Sequence, residues 1–352
     1  MTPTTMTSLI RRRFVALAAV LAVAVPLVVP ASASAQTALK MVLNWKYQGP
    51  QGWFFLAQDR GYFKKYGLDV TMDQGNGSGA PIPLVANGTY DVGFGDINAL
   101  IEFAAKRPDE APIAVYMMYN RPPFTIAVRS DSAIKTPKDL EGKTLGGAVG
   151  DGALKLFPAF CKITKINCDT IKITNMQPNL REQMLMQKQV DGVFGYVNTI
   201  RFSAMLIHVN PDKDIRFINY GDYGMDLYSN AIIVSKKLVK DNPAAVKGLI
   251  AAINHGLKDA LKDPDAAVAA VAKREPLINS KVERERLDAT LKDEMNSPEI
   301  DKSGLGNVDP VRLKRSIDIL VSAEGLPRTP KIDEVWSSAF LPPVDELPKK
   351  LF

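Results

Sequence analysis

The chain is poor in the residues that most often carry catalysis or bind metals. It has two histidines, His208 and His255, and two cysteines, Cys161 and Cys168, in 352 residues. It contains no nucleophile elbow, no zinc-binding motif and no P-loop. The two histidines lie in unrelated contexts, one before a proline-containing turn and one within a helical pattern. We therefore predict no catalytic residue, no metal site and no cofactor.

Apart from one long apolar run near the N-terminus, the sequence contains no other. The single such run covers residues 14–30, follows the arginines at 11–13 and ends in the small-residue series ASASAQ. This order is typical of a secretory signal peptide, and we expect cleavage near Ala35. A membrane anchor is the alternative, but two prolines interrupt the run. We therefore assign residues 1–35 to a signal peptide and predict a periplasmic protein, with the Sec and twin-arginine routes both open.

The charge balance lacks a strong excess of either sign. The chain has 44 basic and 38 acidic residues, and removal of the signal peptide leaves 41 basic residues against the same 38. Nucleic-acid binding requires a concentrated basic face, so we predict no nucleic-acid partner. About 317 residues remain after cleavage, which is enough for two domains with separate cores.

The two cysteines lie seven positions apart in the segment FCKITKINCDTIKI. In an oxidising compartment this arrangement favours a disulfide that joins a helix end to the start of the next strand. A metal pair is one alternative, although further ligands are missing, and two free buried thiols are another. We predict the disulfide between Cys161 and Cys168.

Apolar runs alternate with helical patterns along the chain, which predicts an α/β fold with parallel sheets and crossover helices. The first four strands are expected at LKMVLN, LDVTMD, YDVGFG and APIAVYMM. Between the first two, Trp53, Leu56, Ala57 and Phe63 share one face of a single predicted helix, which Gly67 ends. These elements form one wound lobe.

A second series of strands and helices begins at PPFTIAVRSD and ends before SNAIIVS, after which only helices are predicted. We assign residues 36–124 and 232–352 to a discontinuous first lobe and residues 125–231 to a second lobe. Two extended crossings then form a hinge. An apolar helical stripe is expected to pack back onto the first lobe: Val246, Leu249, Ile250, Ile253 and Leu257.

Three segments of the chain resemble one family of proteins. LNWKYQGPQGWFFLAQDRGYFKKYGLDVTMDQGNGSG, ANGTYDVGFGDINAL and TIAVRSDSAIKTPKDLEGKTLGG are similar to the substrate-binding proteins of the NMT1/THI5-like and sulfonate/nitrate/taurine type. The resemblance extends from about residue 39 to about residue 326. It implies a type II periplasmic-binding fold that delivers a small molecule to an ABC importer.

Ligands of wound α/β sheets bind beyond the carboxyl ends of the strands. The residues that follow the predicted strands of the first lobe, and are therefore candidates for ligand binding, are Asn44, Trp45, Tyr47, Gln48, Asn76, Gly77, Ser78, Asp96, Asn98 and Asn120. The corresponding candidates of the second lobe are Gly150, Asp151, Tyr196, Asn198, Asp222 and Tyr223.

Three of these candidates have a defined role with a structural alternative. The resemblance favours Trp45 as a stacking surface for a ring, and the alternative is packing on its own lobe. Ser78 begins a helix whose N–H groups would hold an oxygen of the ligand, or it caps that helix. Asp96 would accept hydrogen bonds from ring nitrogens or an amine, or it caps the following helix.

The predicted function is binding without catalysis, with the lobes closing over a heteroaromatic or anionic solute. The resemblance points to pyrimidine precursors of thiamine, while alkyl sulfonate, nitrate and aromatic carboxylate remain alternatives. The expected partners of this monomer are the ligand and, transiently, a membrane permease. The family also contains intracellular thiamine pyrimidine synthases, but these carry a cysteine-rich motif that this chain lacks.

Overall fold

The computed structural model describes residues 36–352, so the predicted signal peptide lies outside the described residues. The described residues form two five-stranded sheets, ordered β2-β1-β3-β10-β4 and β7-β6-β8-β5-β9. The strands are β1 Thr37–Val42, β2 Leu68–Asp73, β3 Val92–Asp96, β4 Ile113–Met117, β5 Phe124–Arg129, β6 Thr144–Gly147, β7 Lys172–Asn175, β8 Gly192–Tyr196, β9 Ile215–Asn219 and β10 Asn230–Val234. The predicted two-lobed α/β architecture is confirmed. The first lobe contains the sheet β2-β1-β3-β10-β4, and the second lobe contains the sheet β7-β6-β8-β5-β9.

Both sheets are mixed, so the predicted parallel pairing holds for only part of each sheet. β10 pairs antiparallel with β3 and β4, and β5 pairs antiparallel with β8 and β9. Each of these strands is the first one after the chain crosses from the other lobe. It therefore starts at the edge where the parallel strands end and must run in the opposite direction.

The described residues also form α-helices that flank the sheets. The helices of the first part of the chain are α1 Gly52–Asp59, α2 Tyr62–Lys65, α3 Pro81–Ala86, α4 Ile97–Lys106, α5 Gly152–Lys155, α6 Phe157–Thr164, α7 Arg181–Met186, α8 Val197–Leu206 and α9 Pro211–Asp214. Those that follow are α10 Lys236–Asp241, α11 Pro243–Lys262, α12 Pro264–Ala272, α13 Ser280–Thr290, α14 Ile300–Ser303, α15 Pro310–Glu324 and α16 Ile332–Val335.

The segment predicted as one helix after the first strand is two helices, α1 and α2. Gly61 between them has φ of 71°, a left-handed conformation that ends α1 and that glycine adopts at little cost. The residues of α1 from Gly52 to Ala57 are all buried, because α11 and α12 pack against this helix. Burial on every side explains why a one-face pattern described this segment poorly.

The long helix α11 packs as predicted, and a side-chain cap marks its start. The Asn242 side chain accepts a hydrogen bond from the Ala245 backbone N–H, and Asp263 does the same for Ala266 at the start of α12. The predicted stripe of α11 is fully buried, and the helix lies against α1 of the first lobe. A Cβ on Gly256 would lie 2.4 Å from the Trp53 carbonyl oxygen, so the two helices are in direct backbone contact.

Two connections join the lobes, at residues 118–123 and 224–229. They lie side by side, because the backbone N–H groups of Met118 and Tyr119 both donate to the Asn230 carbonyl at 3.0 Å. The Ser229 N–H donates in return to the Tyr119 carbonyl at 3.0 Å. Paired connections of this kind form the predicted two-strand hinge. The exact lobe boundaries at 124/125 and 231/232 stay a prediction.

Cys161 and Cys168 form a disulfide with their Cα atoms 6.0 Å apart. It links α6 to a short 3-10 helix, Cys168–Thr170, that directly precedes β7. The predicted pairing is therefore present. Within residues 36–352, no helix combines the length and the apolar character that a bilayer crossing requires.

Candidate functional site

A small cavity of about 20 Å³ lies where the two lobes meet. Residues of both lobes line it: Asn44, Trp45, Ser78, Asp151, Arg181, Tyr196 and Thr199. This volume has room for about one water molecule, so the lobes lie closely against each other. Five of the seven lining residues belong to the set predicted from the strand ends.

The position of the cavity follows from the direction of the parallel strands. Asn44 and Trp45 follow β1, Ser78 follows β2, Asp151 follows β6 and Tyr196 ends β8. The carboxyl ends of these strands face each other across the lobe boundary, as expected for ligand sites in wound sheets. The Asn44 side chain is held in place by the Gln51 amide, which donates to its oxygen at 2.9 Å.

The two lobes touch through backbone at Gly77 and Gly150. The Gly79 N–H donates to the Gly150 carbonyl at 2.9 Å, and a Cβ on Gly77 would lie 2.1 Å from that same oxygen. Gly77 also has φ of 130°, which other residues rarely adopt. Glycine is therefore required where the lobes approach most closely, and both glycines belong to the predicted set.

Two polar oxygens of the first lobe face the second lobe without a hydrogen bond. Asp96 Oδ1 accepts from the Asn98 backbone at 3.1 Å and from its side chain at 2.8 Å, so Asp96 does cap α4. Within residues 36–352, however, Asp96 Oδ2 and Ser78 Oγ are buried without a partner. A Cβ on Gly152 would lie 2.4 Å from Ser78 Oγ and 3.1 Å from Asp96 Oδ2. Both oxygens thus lie at the lobe boundary, where a ligand would supply donors.

Ser78 does not cap α3, so the structural alternative for this residue was wrong. The N-cap position of α3 is Ala80, and it makes no side-chain cap hydrogen bond. Asp151, in contrast, does cap α5: its Oδ1 accepts from the Ala153 N–H at 2.8 Å and the Leu154 N–H at 3.3 Å. The Ala153 and Leu154 N–H groups at the start of α5 are therefore already satisfied by the protein itself.

Carboxylates dominate the charge around the cavity. Burial raises the pKa of Asp96 to about 7, helped by the nearby charge of Asp151. Burial also raises the pKa of Asp151, against the opposing effect of Arg181. Arg181 is the one cation among the lining residues that the structure describes, and it is engaged by Glu182 at 2.6 and 2.9 Å. The carboxyl groups of Asp151 and Glu182 therefore both lie beside the single guanidinium.

Tyr196 bridges the lobes from the end of β8. Its hydroxyl lies 2.8 Å from Ser229 Oγ and donates to Asn230 Oδ1 at 2.8 Å. Asn98 and Asn120 hold first-lobe segments, donating to the Tyr228 carbonyl at 2.6 Å and the Met295 carbonyl at 3.0 Å. These contacts stabilise the hinge region beside the cavity.

Several predicted candidates do not line the cavity. The Tyr47 hydroxyl donates to the Met72 carbonyl at 2.6 Å, which turns the ring onto its own lobe. Gln48 starts a short 3-10 helix, and the exposed Asn76 accepts from Lys46 Nζ. Asn198 is buried in α8 outside the lining.

Two further candidates lie on the second lobe, away from the cavity. Asp222 is exposed and accepts a hydrogen bond from Asn219 at 3.2 Å, and Tyr223 packs edge-on against Phe160. Both belong to a 3-10 helix, Tyr220–Tyr223, which directs their side chains to the surface and onto the lobe interior.

Sequence reasoning missed two lining residues, Arg181 and Thr199. Arg181 begins α7, the first helix after β7, and Thr199 lies in the first turn of α8 after β8. Both therefore follow strand ends, and extending the search by one short loop finds Arg181. Among residues 36–352, no cluster of three or more histidine, cysteine or acidic side chains is arranged to hold a metal ion.

We expect an Asp96→Asn variant to be more thermostable than the wild type at pH 8 and equally stable at pH 4. The pKa of Asp96 is raised from 3.8 to about 7, so its folded form carries a growing penalty as the pH rises between these values. Asparagine keeps the Oδ1 acceptor and never ionises. The melting temperature should rise by roughly 5 °C or more at pH 8. A difference that stays constant from pH 4 to pH 8 would contradict this explanation.

Comparison with known proteins supplies the family. The model of the family described as NMT1/THI5 like matches residues 52–267, which is more than half of the chain. A 4-amino-5-hydroxymethyl-2-methylpyrimidine phosphate synthase of Aspergillus parasiticus is 22% identical over 255 residues, covering 70% of this chain and 73% of the synthase. The riboflavin-binding protein RibY of Chloroflexus aurantiacus is 23% identical over 221 residues, covering 61% of this chain and 60% of that protein.

A solved structure shares the fold. The alkanesulfonate-binding protein SsuA of Xanthomonas axonopodis pv. citri, bound to MOPS, aligns with a TM-score of 0.63 and 17% identity. The alignment covers 86% of this chain and 99% of that protein. The two-lobed arrangement is thus that of periplasmic binding proteins. Together with the family model, this shows that the chain belongs to the NMT1/THI5-like family.

Proposed function

We propose that the protein is the periplasmic solute-binding component of an ABC importer and that it captures a small solute by closure of its lobes. The observation that carries this proposal is a cavity lined by both lobes at their facing strand ends, beside two paired connections. Such a site is complete only when the lobes are together, so ligand and closure stabilise each other. The binding proteins among the relatives and structural neighbours support this reading.

The charge of the site favours a neutral or cationic ligand with hydrogen-bond donors. Asp96 Oδ2 is a buried acceptor without a partner among residues 36–352, and the buried Ser78 hydroxyl beside it can accept or donate. An anion would have to approach the carboxyl groups of Asp151 and Asp96, and the one lining cation among residues 36–352 is already paired with Glu182. We therefore propose a flat heteroaromatic base, of the thiamine-pyrimidine precursor kind, ahead of an alkyl sulfonate, nitrate or aromatic carboxylate.

In this proposal the protein acts as a monomer outside the cytoplasmic membrane, after cleavage of the signal peptide. The closed pair of lobes would present one continuous surface to the permease, which the open state does not have. The permease would then distinguish the ligand-loaded protein from the empty protein by the shape of this surface alone.

Catalysis is the second candidate, because one relative is a pyrimidine phosphate synthase. The lining of the cavity favours binding over catalysis, since it holds neither of the two histidines and neither cysteine. Both cysteines are joined in the disulfide. Purified protein that releases its ligand chemically unchanged supports the binding function, and a converted ligand supports the synthase-like one.

A thermal-shift screen tests the proposed function. The mature protein is heated with aminopyrimidines, alkyl sulfonates, nitrate and aromatic carboxylates in parallel. A ligand at about 100 times its Kd adds about 2.7 kcal/mol of stability, so the melting temperature should rise with an aminopyrimidine. X-ray scattering should then show a more compact particle. A chain that no class of compound stabilises, and whose scattering never changes, would refute the binding function.

A further inference from the structure

The Arg181 guanidinium of the second lobe lies over the Trp45 indole of the first lobe, with its Cζ 5.3 Å from the ring centroid. This is a cation–π contact across the lobe boundary, and both side chains line the cavity. Trp45 is 9% exposed and Arg181 is 2% exposed, so the contact is dry. The two residues belong to different lobes, so their contact forms only when the lobes lie together.

Arg181 is held by its own lobe and does not depend on Trp45 for its position. Its Nε and Nη2 donate to Glu182 Oε1 at 2.9 and 2.6 Å, and Nη1 donates to the Phe194 carbonyl at 3.2 Å. A Cβ on Gly195 would lie 2.4 Å from Nη1, so the guanidinium rests directly against the backbone of β8. The glycine makes this close approach possible.

The gap between the Arg181 guanidinium and the Trp45 indole is too small to hold a ligand ring. When a ring enters, stacking on both faces fixes the distance between these two groups. Two stacked contacts of about 3.5 Å each require about 7 Å between the outer planes. The lobes therefore have to separate slightly at the cavity, by rotation about the paired connections at 118–123 and 224–229, while Gly77 and Gly150 stay in contact. In the closed state described here, the guanidinium covers the indole face that a ligand ring would cover.

We propose that Arg181 and Trp45 form a clamp that holds a planar ring between guanidinium and indole, and that this clamp selects flat ligands over tetrahedral ones. This inference rests on the proposed binding function and names the element of the site that sets its specificity. The charge of Arg181 is balanced by Glu182 and by Asp151, whose Oδ2 lies 3.7 Å away. The guanidinium therefore serves as a flat, polarised surface and not as a counter-ion for a sulfonate.

An Arg181→Lys variant tests the clamp. Lysine keeps the positive charge beside Glu182 but lacks the planar group and its forked hydrogen bonds, so the melting temperature without ligand is measured to separate lost structure from lost stacking. The matched control is Arg216→Lys, in the same lobe, because Arg216 donates only to the carbonyls of Ile134 and Ser130. The ring probe is 4-amino-5-hydroxymethyl-2-methylpyrimidine and the non-planar probe is ethanesulfonate, both measured by calorimetric titration and by tryptophan fluorescence.

The clamp predicts that Arg181→Lys weakens the ring probe by about tenfold or more and leaves the weak binding of ethanesulfonate unchanged. Arg216→Lys should match the wild type, and the fluorescence change on ring binding should disappear in Trp45→Phe. If the wild type binds the ring probe and Arg181→Lys binds it equally well, the clamp is overturned while the binding function stands. If the wild type binds ethanesulfonate more tightly than the ring, or binds neither probe, the clamp fails together with the proposed ligand class.

Discussion

A Gly77→Ala variant is expected to lose at least about 100-fold in ligand affinity while both lobes remain folded. A Cβ at this position would lie 2.1 Å from the carbonyl carbon and oxygen of Gly150, which are backbone atoms that cannot rotate away. The contact joins the two lobes, so the added methyl group blocks closure and not the folding of either lobe. Calorimetric titration gives the affinity, and X-ray scattering reports whether the ligand still compacts the particle.

Two controls separate the clash from the other effects of removing a glycine. Gly67→Ala also places a side chain at positive φ, here an ordinary left-handed 68°, but in open space, so it measures the cost of a left-handed backbone without a clash. Gly79→Ala brings a Cβ to an ordinary 3.4 Å from the Gly150 oxygen, so it adds bulk at the same boundary without a clash. Both controls should bind within about threefold of the wild type. Unchanged affinity in Gly77→Ala would show that the lobes do not close through this contact.

An Arg286→Met variant is expected to lose about 3 to 5 kcal/mol of unfolding free energy. Arg286 and Glu283 of α13 are 1% and 2% exposed, and Arg286 Nε and Nη2 donate to the two carboxylate oxygens at 3.0 and 3.1 Å. Removal of the guanidinium leaves a buried carboxylate without its cation. Arg286 Nη1 also donates to the Thr199 carbonyl of the second lobe at 3.0 Å, so ligand affinity should fall as well.

Urea unfolding of the double variant Glu283→Gln/Arg286→Met provides the matched comparison. The glutamine removes the charge and keeps an oxygen for the Gly49 N–H, which donates to Glu283 Oε2 at 2.8 Å. The double variant should therefore recover part of the lost stability. An exposed pair offers the second comparison: Lys314→Met, which removes the partner of Asp318, should change stability by less than about 1 kcal/mol. An equally small loss in Arg286→Met would contradict the buried-pair argument.

The rule that ligands bind beyond strand ends identified most of the residues that line the cavity. Asn44, Trp45, Ser78, Asp151 and Tyr196 were identified from the ends of predicted strands, and all of them line the cavity. The rule works because strand positions are encoded locally, in apolar runs with turn residues after them. The same local coding explains the side-chain caps at the start of α11 and α12.

The direction of a side chain within a loop is not encoded locally. Tyr47 is two residues from Trp45, yet its ring packs edge-on against Phe55 and its hydroxyl binds a first-lobe carbonyl. Arg181 was missed because a helix start rich in polar residues is equally typical of a solvated turn. The guanidinium packs against the backbone of β8 at Gly195, where the absence of a side chain leaves room for it. This contact is visible only in the folded structure.

The sequence by itself determined the two-lobed α/β class, the strand ends that form the site and the cysteine pair, because each depends on residues close together in the chain. The tertiary structure alone decided which strands run antiparallel, which oxygens stay free and which residues meet across the lobes. Gly77 meets Gly150, and Trp45 meets Arg181, although long stretches of chain separate both pairs. Contacts of this kind depend on how two separately folded sheets are positioned by their paired connections, and no local pattern of apolar and polar residues specifies that position.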